Sequence, residues 1–505
     1  MALTGHTLCH YILLYLERQV MQQKSLAKNG FYKATLNVFN LVIPLLVGPY
    51  VTGLLEPELY GAYNRVFSEF NVFLVIASFG IYNYGVREIS RVRNDPIELN
   101  RLFSSLFLIG IITNGLTTGV YVIYALVRSQ AEYEVGLYLV MIIQIVANVF
   151  YIEFVNEAKE NYGFIMVKTM IVRLLYLASI FIFVRKADDI LPYAIVVSAT
   201  VLLNNLISYV YLKRNIRFNF KNIEIVRHIA PLIVSLLLTN VEILYTQLDK
   251  IMLSPYVNDI AVTEYYIPLT IVGMIAAVPL ALVNVAIPRV SAYIADNNRT
   301  DYIRVLNKTI QNYMAMMLPM CLGLAVLAPE VMDLYSRGVY TYAYPVLVVA
   351  ALARIAFSFQ SIVSNLVMYV NGLERQLVAM LAAFGVLNLV TNFVLVWLHW
   401  FTPATAMGST AIMVILFVVT CYFYTQKKLG IRYNLFSKRI CGYFVVSALF
   451  IPISLGIRAL NLGMWANIVI IMVVCCGVYG GYLLTTKDPF LTELVSRVPF
   501  LRKKK

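Results

Sequence analysis

The sequence predicts an all-α polytopic membrane protein with about fourteen transmembrane helices, and three observations predict it. Hydrophobic residues fill 60% of the 505 positions and charged residues only 13%, where soluble chains carry about 25% charged residues. Mean hydropathy is +0.76. The apolar residues fall in runs of roughly 20, the length that crosses a ~30 Å hydrocarbon core, and no segment alternates in the ~10-residue pattern of an outer-membrane barrel strand.

The runs centre near residues 43, 73, 114, 146, 173, 201, 242, 276, 317, 356, 387, 414, 450 and 475. Between them, charge is distributed by side. Arg87, Arg91, Arg93 and Arg101 separate spans two and three, Lys213, Arg214, Arg217, Lys221 and Arg227 separate six and seven, and Lys427, Lys428, Arg432, Lys438 and Arg439 separate twelve and thirteen. The alternate loops carry Glu56 and Glu58, Glu132 and Glu134, or Asp259 and Glu264. This bias places both termini in the cytoplasm and explains the formal charge of +14 as a topology device, with no nucleic-acid partner. The six cysteines form no CxxC pair and the histidines no metal-ligand spacing, so no metal site is expected.

An internal repeat emerges on shifting the sequence by 202 residues. Tyr63 then lies on Tyr265 and Arg87 on Arg289, and one residue further on ELNRLFSS (98–105) lies on DYIRVLNK (301–308). Later the offset becomes 215: FVNEAKE (154–160) overlays YVNGLER (369–375), and Arg173 falls on Asn388. The jump implies about a dozen residues inserted between spans nine and ten. Each copy has six spans, so both begin on the same side, a parallel repeat with a site expected between the halves. We read residues 1–24 as an extension, 25–215 as a first lobe, 216–430 as a second, 431–486 as spans thirteen and fourteen, and 487–505 as a basic cytoplasmic tail.

The buried charges are the candidate functional residues. Arg173 lies about eleven residues into span five, roughly 16 Å deep at 1.5 Å per residue, and Arg354 is similarly deep in span ten. An arginine does not shed its charge, and at mid-bilayer it costs at least ~2.5–3.5 kcal/mol. Each therefore faces a wet cavity, meets an acid from another helix, for which Glu242 in span seven is the candidate, or awaits an anion. A phosphate suits the guanidinium fork, which takes two oxygens at once. Arg65 and Glu69 are four apart and predict a pair along one helix face. Glu153 and Lys168 should meet across the hairpin of spans four and five. In YTQLDKIMLS (245–254), Asp249 and Lys250 fall near the outer end of span seven, about 100° apart around the helix, with at least one expected to face the space between the halves. The prolines of IPLLVGPY (43–50) predict a bend in span one.

The stretches NGFYKATLNVFNLVIPLLVGPYVTGLLEPELYGAYN, GIYNYGVREISRVRND, RKADDILPYA, LDKIMLS and VAIPRVS resemble the bacterial repeat-unit flippases for lipid-linked polysaccharide, a branch of the multidrug/oligosaccharidyl-lipid/polysaccharide exporter superfamily. The likeness runs from about Leu26 to about Leu429, and the last two spans resemble the extra pair of lipid II flippases. The resemblance implies two six-helix lobes forming a V in the bacterial cytoplasmic membrane, with a cationic cavity between them. It implies a cargo of undecaprenyl-pyrophosphate-linked oligosaccharide (teichoic acid, capsule or O-antigen type) crossing by alternating access, a monomer among membrane lipids working beside polysaccharide assembly enzymes. The substrate-binding candidates are Arg173, Arg354, Arg65 and Lys250. The gating or coupling candidates are Glu242, Asp249, Glu69, Arg87 and Arg289, with no cofactor beyond a coupling cation or the membrane potential. Two other readings stand beside this one. A cation-coupled multidrug exporter of the same superfamily commonly carries an acid in its first helix, and span one (31–54) has none. A membrane polysaccharide polymerase usually needs a long external loop with catalytic Arg or His, whereas here the loops are short and His399 is alone.

Residues 1–20 hold too short an apolar run to span and no basic leader, while Met21 opens a stretch whose Lys24, Lys28 and Lys33 lead into span one. Deletion of residues 1–20 is expected to leave membrane insertion and transport at the level of the full chain; loss of transport refutes that reading.

Overall fold

The computed structural model describes residues 28, 32 and 35–491 except 130, 215 and 222, and leaves out the side chains of 238–246. The 1–24 extension, most of the basic tail and the Glu242 side chain lie outside the described residues. Fourteen long helices follow in order: α1 Thr35–Leu54, α2 Pro57–Val92, α3 Pro96–Arg128, α4 Glu132–Ala158, α5 Tyr162–Phe183, α6 Ile190–Lys213, α7 Ile225–Tyr256, α8 Asp259–Ala295, α9 Arg299–Val326, α10 Thr341–Tyr369, α11 Glu374–Trp397, α12 Pro403–Leu429, α13 Lys438–Arg458 and α14 Met464–Thr485. Thirteen of them, all but α7, are long and apolar enough among the described residues to cross a membrane. Every expected span centre falls within its helix. The chain is a multi-pass membrane protein, because only helices of this length satisfy their own backbone groups in hydrocarbon.

The helix ends follow local chemistry. Asp95 caps α3 by accepting from the N–H of Ile97 and Glu98, with Pro96 at the first helical position. Asn298 caps α9 through Asp301 N–H, and it stands one repeat on from Asp95. Thr402 and Thr405 form a reciprocal cap on α12, which Gly430 closes at φ +61°. In the RKADDILPYA loop, Asp189 accepts from the backbone N–H groups of Arg185 and Lys186, which hold its carboxyl below the usual range.

Two compact units result. Unit one comprises the residues up to 48 and 70–239; unit two comprises 49–69 and 240 onward. These limits differ from the 215/216 lobe boundary. The first part of α7 goes with unit one, where Ser235 donates to the Gly80 carbonyl (2.9 Å) and Tyr84 hydrogen-bonds His228 (2.7 Å). The end of α1 and the start of α2 go with unit two, and the α1 division falls at Gly48/Pro49, inside the stretch whose prolines predict a bend.

The repeat is visible in both position and packing. Pro57 and Asp259 open α2 and α8, 202 residues apart. In unit one α4 packs on α3 and α6, and α5 on α6; in unit two α10 packs on α9 and α12, and α11 on α12. Between α3 and α4 lie three residues, between α9 and α10 fourteen. The expected insertion is therefore this segment, and it carries a short helix, Ala328–Ser336. Glu330 on that helix takes a two-pronged ion pair from Arg458 at the end of α13 (2.7 and 2.8 Å), and Arg458 also donates to the Val326 carbonyl. With Tyr443–Asp488 (2.6 Å) and Tyr479 to the Ala315 carbonyl (2.6 Å), this fixes the C-terminal pair to unit two.

Gly80 breaks α2 in the left-handed region (φ +69°), and a Cβ there would stand 2.5 Å from the Leu236 nitrogen. A side chain would meet both the left-handed penalty of about 1–2 kcal/mol and a backbone clash. Gly80→Ala is expected to lower the thermal midpoint of the detergent-solubilised protein clearly. Gly119→Ala, whose Cβ meets nothing within 4 Å, should not. Equal midpoints for the two variants would sink this account of the α2–α7 contact.

Candidate functional site

In unit one, α4, α5 and α6, with Leu74 of α2, border an open cavity of about 300 Å³ lined by Gln144, Asn148, Tyr151, Thr169, Arg173, Thr200, Asn204 and Asn205 together with Val172 and Val201. Two amide relays fix its wall. Asn114 donates to the Ala77 and Gly110 carbonyls, so its own oxygen accepts from Asn148 (2.9 Å) and turns the Asn148 oxygen outward. Asn205 donates to the Ala147 carbonyl (2.9 Å), so its oxygen accepts from Asn204 (3.3 Å), and the Asn204 oxygen is buried with no partner. Each relay is anchored on backbone carbonyls that cannot flip. Arg173 is half-buried on this wall, and among the described residues no carboxylate pairs with it. Deeper in the unit, Glu153 accepts from Lys168 (2.7 Å) and Ser208 (2.6 Å), the contact across the hairpin that the sequence predicts. Glu153 is thus engaged by Lys168, and Arg173 is the cation on the cavity lining with no paired carboxylate among the described residues.

Unit two holds the opposite charge. Asp249 is fully buried. One carboxylate oxygen accepts from Asn388 (3.0 Å) and Asn392 (2.6 Å) on α11; the other accepts from Tyr265 (2.7 Å) on α8 and Thr410 (2.5 Å) on α12. Ser409 in turn donates to the Asn392 and Asn388 oxygens (2.7 and 3.3 Å), which fixes both amides. The sequence reading set Asp249 and Lys250 near an outer mouth. The structure turns Asp249 into the interior of unit two, where three helices, α8, α11 and α12, supply the donors that water would otherwise give. Lys250 is also buried, its ammonium 5.8 Å from the Tyr266 ring. A void with room for about one water adjoins the cage, between Gln360, Asn388 and Thr410.

Arg65 does not stop at its own helix. Its Nε meets Asp259 at the start of α8 (2.9 Å), an acid the sequence reading did not connect to it, and Ser254 donates to the same oxygen. Asn64 donates to Thr263 (2.8 Å) and Thr52 to the Tyr335 carbonyl (2.8 Å). Gly61 permits this approach, since a Cβ would stand 2.5 Å from the Asp259 carbonyl. Glu69, one turn beyond Arg65, is buried. Arg87 and Arg289 are exposed; Arg87 bonds Glu88 (2.9 Å) and lies over the Tyr84 ring. Arg354 is half-buried on α10 in unit two, its Nε without a partner, and no carboxylate pairs with it among the described residues.

Tyr265, Asn388, Asn392 and Thr410 were not foreseen as one site. The signal was present in part: Asn388 and Asn392 are four apart on one helix face, and Asn388 occupies the repeat position of Arg173. A further apolar cavity of about 480 Å³ lies between α9 and the C-terminal pair, lined by Pro319, Val331, Phe450, Cys475, Tyr479 and Gly480 among others.

The fold has solved counterparts. A lipid II flippase in an inward closed conformation superposes with a TM-score of 0.68 at 13% identity, covering 92% of this chain and all of its own. An inward-facing multidrug resistance MATE transporter gives 0.58 at 13% identity over 78% of this chain and 94% of its own. A Vibrio cholerae MATE transporter gives 0.55 at 15% identity over 82% and 98%. At such identities these likenesses establish the fold. Among curated proteins, none matches the chain. The family model described as polysaccharide biosynthesis protein matches residues 26–294, more than half of the sequence. The chain is a multi-spanning transporter-fold member of the polysaccharide biosynthesis protein family.

Proposed function

We propose that the protein is a flippase for saccharides linked to undecaprenyl pyrophosphate, moving them from the inner to the outer leaflet. The observation that carries this reading is Arg173, a guanidinium on a cavity of a membrane helix bundle with no carboxylate paired to it among the described residues. A charge that costs at least ~2.5–3.5 kcal/mol at mid-bilayer is retained because its partner arrives with the cargo, and a diphosphate matches its fork. Membership of a polysaccharide biosynthesis family and the likeness to a structure titled a lipid II flippase support a lipid-linked saccharide. The apolar cavity beside α13 and α14 suits the polyprenyl chain. The lobes at 25–215 and 216–430 alternate access between the leaflets, and the Arg65–Asp259 and Asn64–Thr263 contacts hold one of the alternating states. Arg354 is a second contact for the diphosphate.

Two driving forces fit the chemistry. An outward-moving head group with two or three negative charges is aided by an inside-negative potential, ~2.3 kcal/mol per charge per 100 mV. The Asp249 cage offers hard oxygens, from a carboxylate and two hydroxyls, which suit a proton or a small monovalent cation. When bound, such an ion neutralises the buried carboxylate. Asp249 would take it with the Thr410 and Tyr265 hydroxyls, while Asn388 and Asn392 keep the carboxylate in place.

Depletion of the protein in its native host is expected to cause build-up of one completed undecaprenyl-linked repeat unit in the inner leaflet, read by mass spectrometry of extracted lipids. Arg173→Ala should fail to clear it, and Arg173→Lys should clear it only in part, because the fork is lost. Normal clearance by Arg173→Ala would return that residue to a structural role. In proteoliposomes, Asp249→Asn is expected to insert normally and to lose acceleration by an imposed sodium or proton gradient. Unchanged gradient dependence would leave the membrane potential as the driving force.

A further inference from the structure

The cavity of unit one asks for more than an anion. A phosphate group offers only acceptors to its surroundings, and Arg173 meets that need. One amide relay, however, ends in an acceptor on the lining: the Asn148 oxygen, touched only by Ser78 at 3.5 Å. A diphosphate cannot satisfy it. It requires a ligand that also donates hydrogen bonds, as hydroxyl or acetamido groups do.

The third wall is aromatic. The regular helix of α4 ends at Val149 and resumes at Glu153, and the break projects Tyr151 onto the cavity. Tyr151 is 39% exposed and stacks on Tyr82, centroids 5.4 Å apart and planes within 11°. Stacking on Tyr82 covers one face of Tyr151 and fixes the orientation of the ring. An apolar face edged by a hydrogen-bond acceptor is the surface a pyranose ring fits, since its C–H face is apolar and its hydroxyls lie around the rim. The cavity of about 300 Å³ stands at the lower end of small-molecule sites, with room for a diphosphate and one ring.

We propose that Tyr151, backed by Tyr82, is the platform for the sugar ring attached to the diphosphate, and that Asn148 accepts a hydrogen bond from one of its hydroxyl or acetamido groups. The site reads that first ring and leaves the rest of the oligosaccharide to sites outside this cavity. This rests on the reading of Arg173 as the diphosphate contact.

The test uses the full chain in lipid nanodiscs and two probes: farnesyl diphosphate, and farnesyl diphosphate carrying one N-acetylhexosamine. The wild-type protein should prefer the glycosylated probe. Tyr151→Ala should cut that preference about tenfold, the scale of one aromatic contact, and Tyr151→Phe should restore it. Arg173→Gln should weaken both probes. A wild-type preference in Tyr151→Ala overturns the platform, whatever Arg173→Gln does. Affinities for both probes that ignore Arg173→Gln overturn the diphosphate contact, even if Tyr151→Ala changes the preference. Failure of the wild-type protein to bind either probe overturns both.

Discussion

A carboxylate sealed inside a membrane bundle is the constraint around which unit two is organised. Among the described residues no cation forms an ion pair with Asp249, and its carboxyl group is met by four hydrogen bonds from α8, α11 and α12. Hydrogen bonds to an ionised group contribute about 1.5–3 kcal/mol each, and one left unmade costs comparably. The arrangement therefore selects which helices meet α7 and in what rotation. Apolar side chains alone do not discriminate so sharply, because lipid is as apolar as they are. Ser409 extends the same selection by fixing the two amides.

Unit one follows the same plan with the sign reversed. At the 202-residue offset the counterpart of Asp249 is Val47, and at the 215-residue offset the counterpart of Asn388 is Arg173. The two halves place polar groups on equivalent helices, but one holds a carboxyl group caged by donors and the other a guanidinium on an open cavity. A duplicated bundle thus carries a guanidinium on a cavity wall in one copy and a hydrogen-bonded carboxyl group in the other. That division suits a transporter whose cargo and coupling ion have opposite charge.

Most of the fold was legible in the sequence, because hydrocarbon imposes one rule on every span and the rule is visible as length and apolarity. The register of the repeat followed as well, since Tyr63–Tyr265 and Arg87–Arg289 mark equivalent helix ends and the insertion falls where the offset changes. The sites were legible only in part. Arg173 stood out by its depth. The partners of Asp249 did not, because Asn388, Asn392 and Thr410 look like any polar residues that join helices until the packing brings them to one carboxylate. Arg65 carried a local signal that told only part of its surroundings: Glu69 lies at the favoured spacing, whereas Asp259 is 194 residues distant. Short-range spacing registers neighbours on one helix and says nothing of helices that meet in space.

The insertion between α9 and α10 gives the C-terminal pair a standing its position outside the repeat does not suggest. Glu330 is buried and is neutralised from α13 by Arg458. The floor of the apolar cavity is shared between α9 and α14. Trimming the chain to its twelve repeated helices would strip a countercharge from a buried acid and open a greasy seam to lipid. The twelve repeated helices are therefore not a separable module, because their core leans on the last two.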